Sequence, residues 1–115
     1  MNNLDELKIA VEKFSKDRDW GRFHTPKNLA TAVSVEVAEL QEIFMWLTPD
    51  ESSALSENSM AKVQDEVGDI LICLVNFANS LGIDLLSAAS QKLQKNESKY
   101  PIEKARGSAK KYNEL

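Results

Sequence analysis

Two stretches of this chain repeat apolar residues at helical rather than strand spacing, and both carry acids along the apolar stripe. Leu29, Val33, Leu40, Ile43 or Phe44, and Leu47 mark one face of a helix predicted from about Asn28, its expected cap, to Leu47. Val63, Val67, Ile70, Leu74, Phe77 and Leu81 do the same from about Ser59 to Leu81, where Gly82 supplies a C-terminal stop. A shorter amphipathic helix is expected over Leu4–Asp17, with Leu4, Leu7, Val11 and Phe14 on one side. A fourth, capped by Asp84, is expected from about Leu85 to Ser98, with Pro101 just beyond. No strand-period alternation survives for more than a few residues. The chain therefore reads as all-α, a four-helix bundle-like fold in a single domain spanning its 115 residues, with a polar, loosely ordered tail from about 102 to 115. The segment from Arg18 to Lys27, containing Gly21 and Pro26, reads as a loop that carries Trp20, Phe23 and His24.

The acids are the anomaly. Glu36 sits on the stripe of the second helix, one turn after Val33 and one before Leu40, and Glu39 follows three residues later on a neighbouring position of the same face. The third helix repeats the arrangement with Glu66 and Asp69 among Val63, Val67, Ile70 and Cys73. Two helices packed roughly 8–10 Å apart would bring the pairs face to face. An unpaired buried carboxylate is expensive, and paired ones repel. Basic residues near them in sequence are sparse, since none follows Lys27 in the second helix. Mg²⁺, a hard cation that takes oxygen ligands and keeps waters that substrate phosphates can replace, answers the need. The competing reading is two solvated acidic faces, which is what glutamate pairs on helices usually are. A di-iron carboxylate bundle needs a Glu-x-x-His from each of two helices, and the one histidine, His24, lies in the loop.

Composition narrows the partners. A net charge of −4 gives no basic footprint for polymeric nucleic acid. The longest apolar run, Ile70 to Ala78, is interrupted by Asn76 and too short to span a bilayer, so no membrane role is expected. The single Cys73 cannot form an internal disulfide, and no N-terminal apolar segment resembles a signal peptide, so a cytoplasmic setting is expected. The third helix is apolar nearly all round between Ile70 and Ala78, and Val35, Val37 and Met45 lie off the stripe of the second, which argues for helices buried between subunits.

Glu36-Val37-Ala38-Glu39-Leu40 through Trp46, followed by Asp65-Glu66-Val67-Gly68-Asp69, resembles the MazG-like all-alpha nucleoside triphosphate pyrophosphohydrolases, and within them the short dCTP pyrophosphatase type. Arg18-Asp19-Trp20, Phe23-His24, Pro26 with Asn28-Leu29-Ala30, and the late Lys92, Asn96 and Lys99-Tyr100-Pro101 extend the likeness over most of the chain. The resemblance implies cleavage of a (deoxy)nucleoside triphosphate, dCTP or a related nucleotide, to monophosphate and pyrophosphate in nucleotide-pool house-cleaning. It implies that Glu36, Glu39, Glu66 and Asp69 hold Mg²⁺ (or Mn²⁺ as substitute) and form the catalytic set. It assigns Lys92 and Asn96 to the triphosphate, and Trp20 and Trp46, with His24 beside them, to the base. The family pattern is a homo-oligomer, a dimer or a tetramer of tight dimers. Cys73 stands where some relatives carry a tyrosine near the substrate, which leaves base and sugar selectivity open. The rival classes are a helical regulatory module that binds nucleotide or metal without turnover, and a purely structural oligomerisation domain.

Overall fold

The computed structural model describes all 115 residues and contains helices and turns but no strand. It divides the chain into two compact units, residues 1–82 and 83–115.

In the first unit, α1 (Leu4–Asp17), α2 (Pro26–Phe44) and α4 (Glu57–Leu81) are the long elements, and α3 (Pro49–Ser52) is one turn between the last two. Each long helix starts on a side-chain cap that the local sequence supplies. Asn3 accepts from the Glu6 N–H, and Ser56 from that of Ser59. α2 begins at Pro26 rather than at Asn28, because Thr25 is the cap and Pro26 fills the first helical position, where no donor is needed. It also ends at Phe44, three residues short of the expected Leu47. Thr48 and Glu51 form a reciprocal capping box that starts α3 inside a stretch expected to be irregular.

α4 packs against both α2 and α1. The fully buried apolar side chains are Val11 from α1, Leu29 from α2, and Val75 and Ala78 from α4. The inward arc of α4 includes half-buried Glu66, Ile70, Cys73 and Phe77 and buried Val75 and Ala78. Val67, Leu74 and Leu81, expected on the buried stripe, are exposed instead. Contact with two helices on adjacent sides rotates the covered arc away from a single 3.6-residue line. Val35, Val37 and Leu71 are exposed as well.

Gly82 closes α4 at φ 66°, with its N–H on the Ala78 and Asn79 carbonyls. A Cβ there meets nothing within 4 Å, so only the backbone resists substitution. Gly82→Ala is expected to destabilise the protein by about 1 kcal/mol through the left-handed conformation alone, read as a lowered melting midpoint.

The second unit holds α5 (Leu85–Lys99), capped by Asp84 as expected, and a short α6 (Ile102–Ala105). The tail beyond 102, expected to be loosely ordered, forms α6 and a final turn at Tyr112–Glu114. Tyr112 stacks edge-on against Tyr100 and lies under the Lys99 ammonium at 4.7 Å, a contact set no periodicity announces. No single helix is long and apolar enough to cross a membrane.

Candidate functional site

The packing of α2 on α4 brings carboxylates from both helices together. One oxygen each from Glu36, Glu39 and Glu66 lies within 4.8 Å of the others. Glu36 and Glu66 are half-buried, and Oε2 of each is sealed from solvent without a hydrogen-bond partner in the protein. Burial raises Glu36 first, and the Glu39, Glu66 and Asp69 carboxylates raise it further, to about 7. Burial likewise raises Glu66. A cluster so poor in donors and so reluctant to ionise is suited to a cation. Octahedral Mg²⁺ with ligands near 2.1 Å needs oxygens about 3 to 4.2 Å apart, which this spacing can meet with small side-chain movements. The acidic cluster therefore fits a divalent metal ion.

Asp69, the fourth acid, does not join the close triad. It acts on Glu36 and Glu66 through its charge and lines a neighbouring cavity of about 490 Å³. The walls of that cavity include Phe14, Trp20, Phe23, His24, Cys73 and Asn76. A volume of this size, mostly apolar with a few polar groups, suits a small planar ligand. The Cys73 thiol is pushed up by burial and by the carboxylates of Glu36 and Asp69, which disfavours the thiolate.

The end of α1 places Trp20 at the cavity. Asp19 takes φ 54°, the left-handed conformation that usually selects glycine. The Trp20 N–H then reaches back to the Ser15 carbonyl at 3.0 Å, and the Asp19 N–H to that of Lys16 at 3.1 Å. This paired bonding satisfies the last carbonyls of the helix and turns the chain sharply. Asp19 also pairs with Arg22. The Trp20 ring stands edge-on to Phe14 at 5.6 Å and to His24 at 6.2 Å. The Arg18 guanidinium covers the Phe14 ring at 3.7 Å, and its Nη1 donates to the Phe14 carbonyl. Asn28, the residue expected to cap α2, donates instead from Nδ2 to the Phe23 carbonyl at 3.0 Å and ties the loop to the helix.

Trp46, Lys92 and Asn96 are the remaining candidates. Trp46 follows α2 and is 87% exposed, outside the cavity that Trp20 lines. Lys92 and Asn96 lie one turn apart on α5 in the second unit, Lys92 exposed and Asn96 half-buried. Sequence reasoning passed over Phe14, Asn28 and Asn76 as cavity residues. It also passed over Lys62, which stands with Glu39, Glu42 and Glu66 around a second cavity of about 390 Å³ beside the acids. Its place four residues before Glu66 was the available signal.

The helical unit sets clustered acids that could hold a divalent ion beside an aromatic cavity suited to a planar ligand. The chain belongs to the MazG-like family, which matches residues 31–115. It is 41% identical to bovine dCTP pyrophosphatase 1 over 97% of its own length and 68% of that protein. It is 39% identical to the human dCTP pyrophosphatase 1 over 97% of its length and 67% of that protein. A crystal structure of a pyrophosphatase from Archaeoglobus fulgidus superposes with a TM-score of 0.80 at 41% identity, covering 84% of this chain and 91% of that one.

Proposed function

We propose that this protein is a Mg²⁺-dependent nucleoside triphosphate pyrophosphohydrolase that acts on dCTP or a closely related deoxynucleotide in nucleotide-pool house-cleaning. The observation that carries the reading is the triad of Glu36, Glu39 and Glu66, with oxygens within 4.8 Å and two of them sealed without a protein partner. Bound there, with Asp69 as the fourth acid, Mg²⁺ would neutralise charge on the phosphates and favour ionisation of a water. Mn²⁺ offers a similar oxygen preference and is the expected substitute. The carboxylates orient the attacking water and accept its proton. The new P–O bond forms as the link between the α and β phosphates breaks, and pyrophosphate leaves. No side-chain nucleophile is required, in keeping with the disfavoured thiolate of Cys73.

Trp20 and His24 take the base in the aromatic cavity, where stacking tolerates any base face. The family resemblance supports Trp46 as a further base contact, and Lys92 and Asn96 as contacts for the triphosphate. The exposure of Trp46, Val35, Val37, Val67 and Leu81 supports a homo-oligomer, a dimer or a tetramer of dimers, because isolated helices rarely leave so many large apolar groups in water. The net charge of −4 argues against polymeric nucleic acid as a partner. Reducing conditions, and so the cytoplasm, suit the lone Cys73.

The test is pyrophosphate release from a panel of canonical and modified nucleoside triphosphates, with Mg²⁺ and with excess EDTA. Turnover to monophosphate, abolished by EDTA and highest for dCTP or a relative, is the expected result. No release from any substrate by folded protein with Mg²⁺ bound would favour a non-catalytic binding module.

A further inference from the structure

The aromatic cavity has one polar wall residue to which the chemistry above gives no task. Asn76 lies on α4, two turns beyond Asp69 and one beyond Cys73, and shares the cavity with both. It is half-buried, and its Oδ1 accepts from the Ser15 hydroxyl at 3.4 Å. Ser15, on the facing side of α1, is the buried polar residue of the first unit at 8% exposure. Its carbonyl already holds the Trp20 N–H at 3.0 Å. One residue thus tethers both the backbone of Trp20 and the amide of Asn76.

The bond from Ser15 has a chemical consequence. A free asparagine amide can present either its oxygen or its nitrogen, since the two poles have nearly the same shape. With the Ser15 hydroxyl donating to Oδ1, the –NH₂ group is the pole left for a ligand. At 3.4 Å the bond is long, so it selects a pole of the amide more than it adds stability. The amide nitrogen has no partner within the protein, and a donor beside a largely apolar cavity favours a ligand that pairs with it.

We propose that Asn76 is a specificity-determining residue that donates from its amide to N3 of the base, and that Ser15 is the positioning residue that presents this pole. The inference rests on the proposed reading of the cavity as the base site. Cytosine and uracil share the O2 acceptor, but N3 is an acceptor in cytosine and a donor in uracil and thymine. An amide that donates to N3 therefore favours cytosine over uracil, a choice that stacking on Trp20 cannot make.

The experiment compares kcat and KM for dCTP and dUTP in the wild type, Asn76→Leu, Ser15→Ala and Ser15→Thr, each checked by circular dichroism. The wild type should prefer dCTP. Asn76→Leu should lower kcat/KM for dCTP about tenfold or more and change that for dUTP less than about threefold, closing the gap. Ser15→Ala, a change that favours the helix, should narrow the same ratio mainly through KM for dCTP, and Ser15→Thr should restore it by returning the hydroxyl. If Asn76→Leu does not fold, the two Ser15 variants decide. Equal losses on both substrates, or a ratio that stays put in folded variants, would overturn the assignment. A wild type that cleaves triphosphates without preferring dCTP also overturns it and leaves the proposed function standing. A wild type that cleaves none overturns both.

Discussion

Replacing Glu36 by glutamine is expected to make the metal-free protein more stable and the enzyme close to inactive. Glu36 is half-buried on α2 with an orphaned Oε2, and burial with three neighbouring acids pushes it up to about 7. Glutamine keeps the shape, removes one charge from the cluster and offers an amide donor to the unpaired Glu66 oxygen. A shift of this size would be about 3 kcal/mol in a sealed site, but Glu39 and Asp69 are exposed and water reaches the cluster. Screening brings the gain at pH 8 to about 1 kcal/mol, a rise of roughly 4 to 8 °C in melting midpoint for a unit of this size. The cost falls on activity. Removing even an outer-shell partner of a metal ligand typically loses 10- to 100-fold, so loss of the ligand itself should lower kcat/KM by at least about a hundredfold and abolish the Mg²⁺-dependent rise in melting temperature. Paired thermal melts with and without Mg²⁺, alongside pyrophosphate release, check it. Opposite signs in stability and turnover are the mark of a site held under electrostatic strain for function. A solvated acidic face predicts neither change.

How far such a site can be read from sequence depends on whether its parts share one helix. Glu36 and Glu39, like Glu66 and Asp69, are three apart, and the helical period alone puts each pair on one face. That α2 and α4 would bring the pairs together followed from their apolar stripes. The unequal result did not: Glu36, Glu39 and Glu66 converge while Asp69 turns to the aromatic cavity. α4 contacts both α2 and α1, and Val67 and Leu81 of its expected stripe are exposed. A one-dimensional period describes packing on one side, and α4 is packed on two. The start of α2 was misplaced for a local reason, since Thr25 and Pro26 compete with Asn28 and win once proline fills the first position. The bond from Ser15 to Asn76 spans 61 residues and joins two side chains that each look ordinary in their own helix. Long-range pairings of this kind leave no periodic trace. Trp46 is the converse case, because a residue readily marked by its neighbours in sequence is 87% exposed and lies outside the cavity that Trp20 lines.

The metal-free protein should lose stability as pH rises from 5 to 8, and Mg²⁺ should reverse that trend. Glu36 has its ordinary value, 4.5, in the unfolded chain and about 7 when folded. Between those values the folded chain holds a proton that the unfolded chain has released. The stabilising contribution is therefore whole below about 4.5 and is lost as pH climbs through about 7. Glu66, raised by burial, acts in the same direction. Mg²⁺ competes with protons for the same oxygens, so its binding strengthens as they ionise. At pH 8 and a hundredfold excess over its dissociation constant, the ion would add about 2.7 kcal/mol, on the order of 10 °C in melting midpoint. At pH 5 most of that gain should vanish, because binding must first expel a proton from Glu36. The two melting curves, plotted against pH, should diverge upward from acid to alkaline conditions. Glu36→Gln should flatten the metal-free curve and collapse the gap, since one substitution removes both the titrating proton and the ligand. Parallel curves at every pH would mean that proton and ion do not share a site, and the carboxylates would then be an acidic face exposed to water.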